Sequence, residues 1–311
     1  MLRYIVKRIA YAILTLFVLI TLTFFMMRLV PGEPFTGDKA IKPATMANMM
    51  AKYGLDKPVG EQYLIFMGNC LKGDLGISIV HNRPVTDMIG GAFATSAKLG
   101  ASAIVFALVL GVLLGAVAAV KRGSALDTGT MFIAMLGVSV PSFILGALFQ
   151  YFLALRLNQL LGYTLFAIQG WGSFQQAVLP AFALGLGSLA TVSRLMRTSM
   201  LDVLSQDYIK TARAKGLSQG KILFRHALRN AIMPVVTVMG PIIASVLTGS
   251  FVVESIFNVP GLGKYFVMSI RDLDYTMVSG TTVFYGALLI FCSLIVDLLY
   301  GLIDPRVKLE G

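Results

Sequence analysis

Residues 207–234 read DYIKTARAKGLSQGKILFRHALRNAIMP, a polar and strongly basic island between long apolar runs. Local chemistry predicts a short helix over the first part. Ser205 can cap its start, Asp207 falls in its first turn, and Gly216 sits where a left-handed C-terminal cap belongs, after Arg213 and Lys215 near the negative end of the helix dipole. At about 1.5 Å of rise per residue such a helix spans roughly 15 Å, too short to be stable alone in water, so its apolar side (Tyr208, Ile209, Ala212) needs a partner surface. Ala212, Ala214 and Gly216 keep that contact low in profile. Ser218 can cap a second helix through Ile222, Leu223 and Leu228, after which the chain re-enters apolar sequence at Ile232. The two pieces make a helical elbow lying against a membrane.

The membrane follows from the rest of the chain. With 57% hydrophobic and 13% charged residues among 311, the apolar surface has no aqueous place to go. A crossing helix needs about 20 apolar residues. Six runs meet that length, 9–27, 99–120, 131–155, 177–195, 231–253 and 281–303, and predict an all-α integral membrane protein with six transmembrane helices. No small-residue cleavage site follows the first run, where Arg28, Leu29, Val30 and Pro31 stand, so it is taken as an uncleaved anchor. Six spans put both termini on one side. That side holds more than half of the 26 Lys and Arg residues in roughly half as many residues as the other, which predicts a multi-pass protein with both ends in the cytoplasm.

Three segments follow: 1–30, a basic flank with the first span; 31–96, an extracytoplasmic insertion; and 97–311, the core of the remaining spans, with a cytoplasmic region at 198–230. Helices are expected over 45–52 and 58–71 of the insertion. The net charge of +11 is read as orientation and headgroup contact, with no nucleic-acid module. Cys70 in the insertion and Cys292 in the last span cannot pair across a bilayer, and no CxxC or His cluster suggests a metal.

On composition alone a basic interhelical loop is a topogenic loop touching headgroups. The ordered string says more. KTARAKG, Lys210 to Gly216, resembles the EAA loop of ABC importer permeases, in which a short cytoplasmic helix ends at a Gly and fits a cleft on a separate ATPase. YIKTARAKGLS with HALRNAIMPVVT resembles the oligopeptide, dipeptide and nickel branch. Two departures from the general loop, Lys210 in place of a glutamate and His226–Ala227–Leu228–Arg229 in place of IxLP, are familiar in that branch. MLRYIVKRI, YGLDKPVGEQY, GDLGIS and TGSFVVESIFNVPGLGKYF are similar to the same family, and MMRLVPGEPFTG tilts the comparison towards the oligopeptide permeases.

The resemblance implies a type I ABC importer permease fold and a coupling helix made by Tyr208, Ile209, Thr211, Ala212, Arg213, Ala214, Lys215, Gly216 and Leu217. It also implies a first span packed at the bundle's periphery and a second, related permease completing the pore. Two ABC ATPases would bind ATP and magnesium, and an external binding protein would deliver peptide. Nickel and glutathione stay open as cargo.

Other residues carry two readings each. Gly111 and Gly115 form a GxxxG spacing for close helix packing, and Pro141 interrupts the third run as a kink or a hinge. Trp171 reads as an interfacial anchor. Arg194 and Arg197 either fix the elbow or snorkel to phosphates. Glu254 at an apolar boundary needs a partner, water or a cavity, and with Asn258, Pro260 and Gly261 is placed by the resemblance beside the translocation path; Pro141 joins them as a candidate gating residue because a Pro kink near a pore can serve as a hinge. Pro260, Gly261 and Gly263 predict a tight turn. Asp297 in the last span reads as an ion-pair or hydrogen-bond partner.

No GxxxxGK[ST] occurs, since Gly216 to Lys221 and Gly261 to Lys264 have the wrong spacing. HExxH and GxSxG are absent too, so the chain is expected to be neither the ATPase nor a hydrolase and to bind no cofactor itself. The alternative class, an ion-driven secondary transporter, predicts inverted repeats and a midplane carboxylate; no repeat is evident, and Glu254 and Asp297 lie towards opposite ends.

Overall fold

A computed structural model describes residues 2–29, 48, 50, 51, 53–247 and 250–303; the side chains of residues 2–5 and 296–303 lie outside the description. The predicted helix 45–52, the start of the TGSF string and the side chain of Asp297 therefore fall largely outside it. The described residues are overwhelmingly helical. The helices are α1 (Leu2–Leu29), α2 (Val59–Leu71), α3 (Val85–Val120), α4 (Ala125–Ser139), α5 (Ser142–Leu161), α6 (Phe174–Leu204), α7 (Asp207–Ala214), α8 (Gln219–Ala231), α9 (Met233–Leu247), α10 (Phe251–Ile256), α11 (Leu262–Arg271) and α12 (Tyr275–Ile303).

Five of these helices, α1, α3, α5, α6 and α12, are long and apolar enough to cross a membrane, and α8 with α9, bent by 50°, make a sixth if taken as one span. Several expected boundaries move. The second span begins at Val85, so the end of the predicted insertion 31–96 is already helix. The third run is two helices: Val140 takes an extended conformation before Pro141, whose ring excludes the α region at the residue preceding it, and Pro141 opens α5. The fifth run ends as helix at Leu247, and α10 is a separate turn.

Compactness divides the chain into two units, one comprising the described residues up to 95 with 261–291, the other residues 96–260 with the described residues from 292 on. In the first unit, α1 buries the stripe Ile20, Phe24 and Met27 and no other of its described side chains. Phe24 packs on Tyr63 and Phe66 of α2 with ring centroids 5.4 and 5.6 Å apart, and Arg28 donates to Gln62 at 2.7 Å. The core of this unit joins Val85, Met88, Ile89 and Ala92 to Leu262 and Met277. Burial pushes the Cys70 thiol of α2 up to about 11, which leaves it protonated and poorly nucleophilic at neutral pH.

Asp274, at the turn between α11 and α12, closes this unit. It is 1% exposed and accepts from the Ser78 hydroxyl at 2.5 Å and from the backbone N–H groups of Ile79, Val80 and Met277 at 3.1, 3.2 and 3.0 Å. Leu273 before it takes φ +53, a left-handed conformation that costs a branched L residue energy and is held because it delivers Asp274 to four donors.

The second unit is built around α6, opened by a reciprocal capping box between Ser173 and Gln176. Helix α3 lies close against it. A Cβ built on Gly111 falls 2.8 Å from Val192 Cγ1, and one on Gly115 falls 2.8 Å from Met196 Cβ, so the GxxxG spacing is a helix-packing device. Trp171, expected as an interfacial anchor, is partly buried and packs on the cluster of Leu99, Leu179 and Phe257.

Candidate functional site

The elbow forms where the sequence places it, with changes at both caps: Ser218 stands at the N-cap position of α8 but makes no side-chain cap bond, and the start of α7 differs too. Ser205 does not cap α7; it terminates α6, its hydroxyl donating to Asp202 O at 2.7 Å, and Gln206 occupies the N-cap position without a side-chain bond. Thr211 Oγ1 donates to Asp207 O at 3.0 Å, and Lys210 Nζ meets Asp207 Oδ1 at 2.8 Å on the exposed face. The C-terminal end closes as a Schellman motif: Leu217 N–H donates to Ala212 O at 3.3 Å and Gly216 N–H to Arg213 O at 2.9 Å, with Gly216 at φ +75. Leu217 tucks back onto the cluster that holds Ala212. An added Cβ on Gly216 would meet no atom within 4 Å, so this glycine answers a conformational demand, not a lack of space.

The partner surface that α7 needs is supplied by its own chain. Ile209 is fully buried and Ala212 nearly so, in one cluster with Met196 and Met200 of α6, Ile222, Ala227 and Ala231 of α8 and Val235 of α9. Tyr208 stays 43% exposed, its hydroxyl accepting from Asn230 Nδ2 at 3.1 Å. The face left outward is therefore Tyr208, Thr211, Arg213, Ala214, Lys215 and Gly216. Within α8, Ile222–Ala227 is wound as a π-helix, a wider turn often found where a helix serves a function.

Arg197 ties α6 to the first turn of α4. It forms a forked ion pair with Asp127, Nε to Oδ1 at 2.6 Å and Nη2 to Oδ2 at 2.7 Å, and Asp127 Oδ2 also accepts from Gly123 N–H at 2.9 Å. The geometry gives Arg197 a protein partner in α4 in place of a free guanidinium; Arg194 is exposed.

The residues around Glu254 form a second cluster. Glu254 is 1% exposed and accepts from Ser96 Oγ at 2.7 Å, so its carboxylate is held within the protein. Asn258, at φ +53, ends α10 in another Schellman motif, with Val259 N–H donating to Glu254 O at 2.7 Å. The predicted turn thus pivots on Asn258; Pro260 is exposed, Gly261 stands just before α11, and Gly263 lies inside that helix. Gln150, which sequence reading passed over, donates to Ile256 O at 2.8 Å and to Ile168 O at 2.9 Å, satisfying a carbonyl that the end of α10 leaves open. Glu254→Ala is expected to lower stability by about 1–3 kcal/mol by leaving the buried Ser96 hydroxyl without this acceptor, and Glu254→Gln to recover most of it. Melting curves of the purified variants decide: equal losses in both would remove the pairing as the cause.

Known proteins align along the whole of this architecture. Residues 111–309 match the family described as binding-protein-dependent transport system inner membrane component, and residues 1–100 match its N-terminal membrane-component model. The dipeptide transport system permease protein DppB of Bacillus subtilis is 46% identical over 100% of this chain and 99% of its own length. DppB of Lactococcus lactis is 42% identical over 99% of this chain and 100% of its own. The oligopeptide transport system permease protein OppB of Haemophilus influenzae is likewise 42% identical over 99% of this chain and 100% of its own length. With its apolar helices and these full-length matches, this multi-pass membrane protein belongs to the family of binding-protein-dependent transport system inner membrane components.

Proposed function

We propose that the chain is one permease subunit of a binding-protein-dependent ABC importer that carries dipeptides or oligopeptides across the cytoplasmic membrane. The names and full-length similarity of the relatives support the peptide cargo over nickel or glutathione. In this reading both termini are cytoplasmic, a second permease completes the pore, an external binding protein delivers the peptide, and two partner ATPases hold ATP and magnesium beneath the elbow. Glu254, Asn258, Pro260 and Gly261, with Pro141 at the α4–α5 break, lie beside the translocation path.

The observation that carries the coupling role is the way α7 is mounted. Its apolar face is used up on α6, α8 and α9, so a force applied to its outward face is passed to three helices at once and not absorbed by a loose loop. Closure of the ATPases on ATP biases the bundle towards one state because the closed dimer binds that state better. Tyr208, Thr211, Arg213, Ala214 and Lys215 make the contact; Ile209 and Ala212 hold the helix in place.

Gly216→Asp tests this. Aspartate tolerates the left-handed conformation better than most residues and finds open space here, so the elbow keeps its fold while a carboxylate faces the partner. Peptide uptake is expected to fall at least about tenfold, corresponding to the loss of about 1.4 kcal/mol of coupling, with membrane levels of the chain unchanged. Normal uptake would contradict docking at this end of α7.

A further inference from the structure

We infer that the groove between α3 and α8 is a binding site for one acyl chain of an anionic phospholipid, with the headgroup phosphate held at Lys121. The groove has a volume of about 220 Å³. Ala116 and Val117 of α3 form one wall, Leu223 and Leu228 of α8 the other, and Met200 of α6 lies between them. Its walls are apolar, and the stem of Lys121 stands at the rim. Phe224, on the wall that α8 provides, is 73% exposed.

Apolar character alone does not choose the occupant, because a lipid tail and a leucine-rich helix offer such a groove the same dispersion contacts. The rim chooses. At Val120 the apolar helix stops and Lys121 and Arg122 begin, both exposed, and among the described residues no carboxylate forms an ion pair with Lys121. A phospholipid has the matching step, from hydrocarbon to a negatively charged phosphate over the width of a headgroup, whereas an apolar helix laid here leaves the cation unmatched. Because α8 also carries the far side of the elbow, a chain seated in the groove braces that helix against α3; this consequence alone rests on the proposed coupling role, and binding itself does not.

The test is lipid retention by the purified transporter, in micelles doped with phosphatidylglycerol or phosphatidylcholine, read by native mass spectrometry. Phosphatidylglycerol is expected to be retained about fivefold better, the preference one basic side chain at a membrane surface supplies. Lys121→Gln should abolish the preference. Val117→Trp, at a position 43% exposed and so free to accept a larger side chain, should reduce retention of both lipids severalfold. Equal retention of the two lipids by the unmodified protein, or a preference untouched by both substitutions, overturns the site. So does a photoreactive residue at Val117 that crosslinks to another polypeptide in place of lipid.

Discussion

Asp274→Ala should destabilise the unit formed by the described residues up to 95 and 261–291 by at least about 3 kcal/mol, since a buried donor left without its acceptor costs about 1–3 kcal/mol and this carboxylate serves four. The loss should be local before it is global. Amide exchange at Ile79, Val80 and Met277 is expected to accelerate while the elbow's amides keep their protection, because the Asp274 carboxylate accepts from the 78–80 loop and the start of α12 and reaches no residue of the elbow. Asp274→Asn should fall between the two: it keeps one acceptor oxygen but turns an NH2 towards donors that can offer it nothing. A substitution to Ala that leaves the melting temperature and these three amides unchanged would show that the hydrogen bonds do not hold the loop.

The contrast between Asp274 and the elbow shows what a single sequence can disclose. Helix α7 was legible because its signals are local: an acidic first turn, basic residues before a glycine, and that glycine at the αL position all fall within ten residues, and the Schellman closure follows from them. Helix α2 was legible for the same reason, with Pro58 at its N-cap. Ser78 and Asp274 are 196 residues apart, Asp127 and Arg197 70 apart, and Gln150 and Ile256 106 apart, and no periodicity or cap rule connects such positions. Two further Schellman closures escaped notice because Asn258 and Leu273, not glycine, occupy their left-handed positions. Even at the elbow, pattern could say that Ile209 and Ala212 need a partner surface without saying whose; the packing of α6, α8 and α9 answers that, and it moves the outward face to Tyr208, Thr211 and the basic side chains.

Gly115→Leu is the substitution expected to prevent assembly altogether. A methyl group at this position already lies 2.8 Å from Met196 Cβ and contacts the backbone of Ser193 and Arg197, which cannot rotate out of the way as a side chain would. Helix α3 must therefore move away from α6, and the cost begins with overpacking of about 1–3 kcal/mol for Gly115→Ala and grows with each added carbon. The displacement has an address. Met196 and Met200 of α6 belong to the same buried cluster as Ile209 and Ala212 of the elbow, so the same clash that separates α3 from α6 disturbs the mounting of α7. The expected series is graded: Gly115→Ala accumulates in the membrane with a lowered melting temperature and reduced uptake, while Gly115→Leu fails to accumulate. Gly111→Ala should be milder, because its two nearest neighbours are atoms of the Val192 side chain and the one backbone atom it meets, Leu189 O, stands at 3.1 Å, farther than the Ser193 oxygen at Gly115. Normal accumulation and uptake by Gly115→Leu would mean that α3 and α6 are not in contact at this level, and the packing that positions the elbow would have to be sought elsewhere.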